Sequence, residues 1–185
     1  MTIFIVFALA FLRLVPHLPN FAPITAMALF SGVYLNRRYA FLVPLGALLL
    51  SDYLLLYINP FSAHPFNFEH IQPLSVLFYS SMWAVYGSFA LSAVVGLWLK
   101  NHKSAGNVIL ATALCAVQFF LITNAAVWLG GMYDRSLLGL WESYVAGIPF
   151  FRGTLLGDFF YTGALFGMYE LASNYIRNRT TALAH

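Results

Sequence analysis

Six apolar segments follow one another along this chain, and only short polar stretches separate most of them. A helix needs roughly 20 residues to cross the hydrocarbon layer of a bilayer, where it satisfies its own backbone hydrogen bonds. Each segment is therefore predicted to be one membrane-spanning helix, although the first two are short. The approximate bounds are 2–15, 21–35, 39–57, 74–99, 107–130 and 149–172.

The composition supports a membrane protein. Of the 185 residues, 61% are hydrophobic and only 8% are charged, whereas soluble domains carry about 25% charged residues. We expect an all-α membrane protein, a six-transmembrane-helix bundle that forms one integral membrane domain over residues 1–185. The net charge of +3 is small, so it gives no reason to expect a nucleic-acid partner.

The distribution of basic residues predicts the orientation of the bundle. Cytoplasmic connections of membrane proteins carry an excess of Lys and Arg. With both termini inside (N-in/C-in), six of the nine basic residues lie on the cytoplasmic side. These six are Arg37, Arg38, Lys100, Lys103, Arg177 and Arg179. The outer connections are longer and aromatic, which favours recognition on the outer side, and 132–144 is compatible with an interfacial amphipathic helix.

The last apolar segment contains Arg152 and Asp158. A charge within hydrocarbon costs about 2.5–3.5 kcal/mol on insertion scales, and such residues usually mark functional sites. The functional interpretation is a solute cavity that opens to the outside. In the alternative interpretation, Arg152 pairs with Asp52 or Asp158 and locks helices together.

Polar and aromatic residues at a similar depth near the outer side are the predicted substrate-binding residues. They are Asn20, Asp52, Asn124, Trp128, Tyr144, Arg152, Asp158 and Tyr161. Arg152 is expected to bind an anionic or carbonyl group, the aspartates to accept hydrogen bonds, and the aromatic rings to stack. Histidines of the first and third connections are candidates to cover the cavity, namely His17, His64 and His70.

Several residues have simpler structural interpretations. Cys115 lies within an apolar segment and is expected to be an inert packing residue. Gln118 is predicted to form a hydrogen bond between helices. Pairs of small residues four apart are predicted to let helices approach closely within the bundle. These pairs are Ala28/Gly32, Gly153/Gly157 and Gly163/Gly167.

No motif in the chain identifies a catalytic group. The phosphate-binding G-x-x-x-x-G-K-[ST] loop, H-E-x-x-H and G-x-S-x-G are all absent from the sequence. We therefore predict no catalytic residue, no cofactor and no metal site.

Parts of the chain resemble the substrate-binding S components of energy-coupling-factor vitamin transporters. The resemblance rests on the stretch from 21–26 to 47–52, which contains a proline near its start, Pro23, and ends in Ser51-Asp52. Residues 20–24, 124–128 and 148–158 also resemble a family of small bacterial membrane proteins of unknown function related to S components.

The resemblance implies uptake of a vitamin or similar micronutrient by a multi-pass protein of the bacterial inner membrane. Besides its vitamin-like ligand and the lipid bilayer, an S component works with an energy-coupling transmembrane subunit and two ATPases. Two alternatives remain open. One is a small intramembrane enzyme acting on a lipid or prenyl substrate, and the other is a non-transporting accessory membrane subunit.

Overall fold

The structure is a computed structural model and describes residues 2–15, 18, 20–62, 65 and 71–183, with side chains to residue 179. The described residues form helices and no strand, which confirms the all-α prediction. Short 3₁₀ turns occur at Leu12–Leu14 and Leu74–Phe78. The α-helices are α1 Thr2–Phe11, α2 Ile24–Tyr34, α3 Arg37–Leu54, α4 Met82–Asn101, α5 Ala105–Leu129 and α6 Leu137–Leu183.

Helix α2 lies at the centre and contacts every other α-helix of the described chain. Every residue from 25 to 33 is buried, so protein surrounds the helix on all sides, and most of these residues are apolar, as a core position requires. Its 11 residues reach about 16 Å at 1.5 Å per residue, roughly half of the hydrocarbon layer. The predicted span 21–35 is therefore a short central helix that cannot cross a bilayer alone.

The contact between α2 and α4 depends on glycine. A Cβ atom added to Gly32 would lie 2.6 Å from the Ala93 carbonyl oxygen, and one added to Gly96 would lie 2.5 Å from the Leu29 carbonyl oxygen. Only a residue without a side chain allows the two backbones to approach this closely. The prediction of close packing is confirmed for Ala28/Gly32.

A second pair of small residues behaves differently. Cβ atoms added to Gly163 and Gly167 would meet no atom within 4 Å. The prediction that this pair packs within the bundle is therefore wrong.

Gln118 joins α5 to α4 as predicted. Its Nε2 donates to the Ser88 carbonyl oxygen at 3.0 Å and to the Ser92 hydroxyl oxygen at 3.2 Å.

Helices α4 and α5 are long and apolar enough to cross a membrane. Helix α4 begins eight residues later than its predicted span of 74–99, because residues 74–78 form a 3₁₀ turn that precedes it. Ser104 caps α5, and its hydroxyl oxygen accepts a hydrogen bond from the Asn107 backbone N–H at 3.1 Å. Such a cap satisfies one of the backbone donors that a helix start leaves free.

Helix α6 is a single element of 47 residues, about 70 Å long. It begins where the Ser136 hydroxyl oxygen accepts a hydrogen bond from the Gly139 N–H at 3.1 Å. It continues through Pro149, which lies inside the helix. The interfacial segment 132–144 and the span 149–172 were predicted as separate elements, and that division is wrong because the helix runs through both from residue 137.

Candidate functional site

A cavity of about 310 Å³ lies between the turn before α2, the second half of α5 and the first half of α6. Its walls combine phenylalanine rings with amide and hydroxyl groups. The lining residues are Asn20, Phe119, Phe120, Thr123, Asn124, Gly147, Phe150, Phe151 and Thr154.

A second, smaller space of about 70 Å³ adjoins this cavity. The two spaces share three lining residues, Asn20, Phe119 and Thr154. The smaller space is also lined by Ala22, Ile24, Thr25, Phe89 and Asp158. Together they form one recess, which we call the α5–α6 recess, and its inner end is at Asp158.

The helical repeat brings the wall residues together. Phe150, Thr154 and Asp158 follow one another at intervals of four on α6, so they share one face of the helix. On α5, Phe119 and Phe120 lie one turn before Thr123 and Asn124. Two facing helices therefore each present aromatic and polar side chains to the same space.

Asn20 reaches the recess through an unusual backbone conformation. Its φ angle is 59°, in the left-handed region that asparagine tolerates better than most residues with a side chain. The turn is closed by the Phe21 N–H, which donates to the Leu18 carbonyl oxygen at 3.0 Å. Asn20 is thus held at the boundary between the two spaces.

The seam between α5 and α6 fixes Asn124. Its Nδ2 donates to the Phe120 carbonyl oxygen at 2.8 Å, and the Ser143 hydroxyl donates to the Asn124 carbonyl oxygen at 2.9 Å. Gly147 lies directly against the Asn124 side chain, where an added Cβ atom would collide with Oδ1. Because Gly147 has no side chain, the Asn124 side chain can occupy this position.

Asp158 is the charged residue of the described lining. It is only 2% exposed, and its Oδ2 atom has no hydrogen-bond partner among the described residues. The Thr25 side chain lies beside its carboxylate. An unmet buried acceptor typically costs about 1–3 kcal/mol, and more when it is charged.

The described lining contains no Lys, Arg or His. Its polar groups are one carboxylate, two asparagine amides and three threonine hydroxyls, and five phenylalanine side chains complete the walls. This arrangement suits a small, mainly apolar molecule whose orientation a few polar groups fix. Its electrostatic character favours a positive group over a negative one.

Three of the eight predicted site residues line this recess: Asn20, Asn124 and Asp158. Asp52 lies elsewhere, since its Oδ1 is 2.7 Å from the Arg13 Nη1 and its Oδ2 accepts a hydrogen bond from the Tyr86 hydroxyl at 2.7 Å.

The other four predicted residues are outside the lining as well. The Trp128 Nε1 donates to the Asp134 carbonyl oxygen at 2.9 Å. The Tyr144 hydroxyl donates to the Leu121 carbonyl oxygen at 3.1 Å, although its ring lies 5.7 Å from that of the wall residue Phe120.

Tyr161 and Arg152 complete the set. The Tyr161 ring lies 5.3 Å from that of Phe21, just before α2. Arg152 is exposed and makes no ion pair among the described residues. The alternative interpretation, in which Arg152 pairs with Asp52 or Asp158, therefore does not describe this structure.

Sequence reasoning missed all five phenylalanines of the wall and its three threonines, Thr25, Thr123 and Thr154. A signal for Thr154 was available, because it precedes Asp158 by one helical turn. The rings had no such signal, since the chain contains 18 phenylalanines. His17, His64 and His70 lie outside the described residues.

The described part of the chain contains no group of three or more His, Cys, Asp or Glu residues that could hold a metal ion. Cys115 is buried and forms no disulfide.

Comparison with protein families matches residues 1–182 to a family described as "Family of unknown function (DUF6580)". Comparisons with curated proteins and with solved structures give no match.

Proposed function

Because the chain belongs to the DUF6580 family of unknown function, its role must be inferred from its own residues, and we propose that it is a multi-pass membrane protein that binds a small organic solute from the outer side. The proposed binding site is the α5–α6 recess.

The surface of the bundle supports insertion in a bilayer. In the most apolar stretches of α4 and α5, only 39% and 22% of the residues are buried inside the protein. The core helix of a soluble protein would be mostly buried, whereas a lipid-facing helix exposes apolar residues. Large apolar side chains such as Leu110, Leu114 and Leu121 are about half exposed along α5.

The placement of charges supports the N-in/C-in orientation. Arg37 begins α3 directly after α2 ends, and Lys100 and Lys103 lie at the turn between α4 and α5. The hydrogen bond from the Lys103 Nζ to the Tyr34 hydroxyl joins this turn to the same end of α2. These three basic residues therefore lie at one end of the bundle, and the recess lies toward the other, at the start of α2.

The size of the recess supports a small solute. Ligand pockets usually have volumes of about 300–1,000 Å³, and the larger space, of about 310 Å³, is at the lower end of that range. A molecule with one or two rings would fill it against Phe120 and Phe150. This volume fits the S-component-like uptake of a vitamin or similar micronutrient. The partners expected for such uptake are an energy-coupling transmembrane subunit and two ATPases.

One observation carries the proposal. A very apolar bundle keeps a recess with a polar lining, and that recess ends on the buried carboxylate of Asp158. If the polar groups served only to hold helices together, they would be expected to pair with one another. Oδ2 of Asp158 instead has no partner among the described residues.

Native mass spectrometry of the protein purified in mild detergent tests the proposal. We expect a small molecule to co-purify with the wild type and to be lost in Thr154→Phe, which fills the junction of the two spaces. The matched control Leu156→Phe changes an exposed residue on the same helix and should retain the molecule. Equal retention by both variants, or no bound solute from any growth medium, contradicts the proposal. Turnover of a bound lipid would instead support the enzyme alternative.

A further inference from the structure

The inner end of the recess holds a carboxylate that no described residue neutralises. Asp158 is 2% exposed, and neither the larger nor the smaller space is lined by a described Lys, Arg or His. Buried charges in proteins are normally paired or coordinated, because removing them from water is costly. The recess therefore offers a place for a positive group.

One further buried polar atom on the same face of α6 has no hydrogen-bond partner among the described residues. The Thr162 hydroxyl lies one turn after Asp158 on the same face of α6, and it is buried without a partner among the described residues. A carboxylate oxygen only accepts hydrogen bonds, so a group that completes Oδ2 of Asp158 must bring an N–H or O–H donor.

Aromatic rings surround the approach to Asp158. Phe89 and Phe119 line the smaller space, and their rings are stacked with centroids 5.2 Å apart. The larger space adds the phenylalanines of α5 and α6. Aromatic faces attract cations and exclude water, which strengthens an electrostatic contact at the end of the recess.

We propose that the solute carries a cationic nitrogen, which enters the smaller space and pairs with Asp158 while its apolar part lies against the phenylalanine walls. This inference rests on the proposed function, because it specifies the chemical class that the same recess selects. It differs from the expectation at Arg152, which predicted an anionic or carbonyl group on the solute.

Charge selectivity can be measured at a cysteine placed in the recess. Thr154→Cys lies in the wall of both spaces, and a Cys115→Ala background removes the native thiol. We would measure its reaction rates with three methanethiosulfonates, which carry a trimethylammonioethyl, a sulfonatoethyl or a methyl group. Each rate is divided by the rate with a small free thiol. Leu137→Cys, at a residue that is 85% exposed at the start of α6, provides the external control.

The cationic reagent should modify Thr154→Cys at least about tenfold faster than the anionic reagent, with no comparable preference at Leu137→Cys. Asp158→Asn should remove that preference without changing the rate of the neutral reagent, and Asp158→Glu should keep it.

Different failures have different meanings. Equal rates for the two charged reagents, with the neutral one still reactive, overturn the cation proposal. They indicate a water-filled inner space and leave the proposed function standing. A preference that survives in Asp158→Asn also overturns it, because Asp158 is then not its source. If none of the three reagents reacts at Thr154→Cys, the recess is inaccessible and both proposals fail.

Discussion

The carboxylate of Asp52 is bonded to the guanidinium group of Arg13, with 2.7 Å between Oδ1 and Nη1. The bond joins the end of α3 to the 3₁₀ turn that follows α1, and the same Arg13 nitrogen also bonds the Ser51 hydroxyl. Both side chains are largely buried, with exposures of 15% and 17%. Asp52 therefore holds the bundle together at this end and lies away from the recess.

Removing Arg13 should destabilise the protein. Arg13→Met leaves the Asp52 carboxylate with the Tyr86 hydroxyl as its remaining strong partner. A hydrogen bond to a charged group contributes about 1.5–3 kcal/mol, so we expect the free energy of unfolding to fall by about 2 kcal/mol. Equilibrium unfolding in mixed detergent micelles provides the measurement.

The opposite end of the bundle supplies a matched control. Lys103 and Glu170 form an ion pair at 2.5 Å, but their side chains are 36% and 41% exposed. Lys103→Met should therefore cost less than about 1 kcal/mol. Equal losses in the two variants would show that the burial of the Arg13 pair has no energetic consequence.

The contact between α2 and α4 predicts a sharp difference between two glycines. Gly96→Ala places a methyl group against the Leu29 carbonyl oxygen, and overpacking of this kind costs about 1–3 kcal/mol. Gly163→Ala faces open space, so stability should stay the same or rise by up to about 1 kcal/mol. Thermal unfolding of both variants in the same detergent compares them, and equal behaviour would contradict the close packing of α2 and α4.

Asn20 allows backbone strain to be separated from contact with the solute. In Asn20→Ala the residue must still adopt φ near 59°, which costs roughly 1–2 kcal/mol for a residue with a Cβ atom. Asn20→Gly avoids that cost but also removes the amide. We expect Ala to be less stable than Gly by about 1 kcal/mol and both variants to bind solute more weakly. Retained solute in both variants would indicate that the Asn20 amide is not a ligand contact.

Arg152 and Asn124 should respond differently to substitution. Arg152 is exposed and does not line the recess, whereas Asn124 does. Arg152→Ala should therefore keep the co-purified solute at the wild-type level, and Asn124→Leu should lose most of it. Native mass spectrometry measures both. Loss of solute in Arg152→Ala alone would restore the original expectation that Arg152 binds the solute.

The sequence identified three polar residues of the recess but none of the phenylalanines of its walls. Asp158 was identifiable because a charge in an apolar run requires an explanation, and Asn124 was identifiable as a polar group near the end of a span. Which phenylalanines face them depends on how α5 and α6 are rotated against each other, and the apolar pattern does not fix that rotation.

Contacts between residues far apart in the chain could not be predicted from the sequence either. Arg13 and Asp52 are 39 residues apart, and their contact depends on how α1 and α3 are placed along each other. Helix α6 was predicted as two elements, an interfacial segment over 132–144 and a span over 149–172. The structure instead carries the helix through Pro149, although proline inside a helix is unfavourable.

The whole account is tested most directly by measuring from which side of the membrane a reagent can reach the recess. In a Cys115→Ala background, Thr123→Cys places a thiol in the wall of the recess, and Lys103→Cys places one in the turn between α4 and α5. A membrane-impermeant thiol reagent would be applied to spheroplasts and to inverted membrane vesicles. The account predicts modification of Thr123→Cys in spheroplasts and of Lys103→Cys only in inverted vesicles. Modification of Thr123→Cys only in inverted vesicles, or release of the protein from membranes by a salt wash, would contradict it.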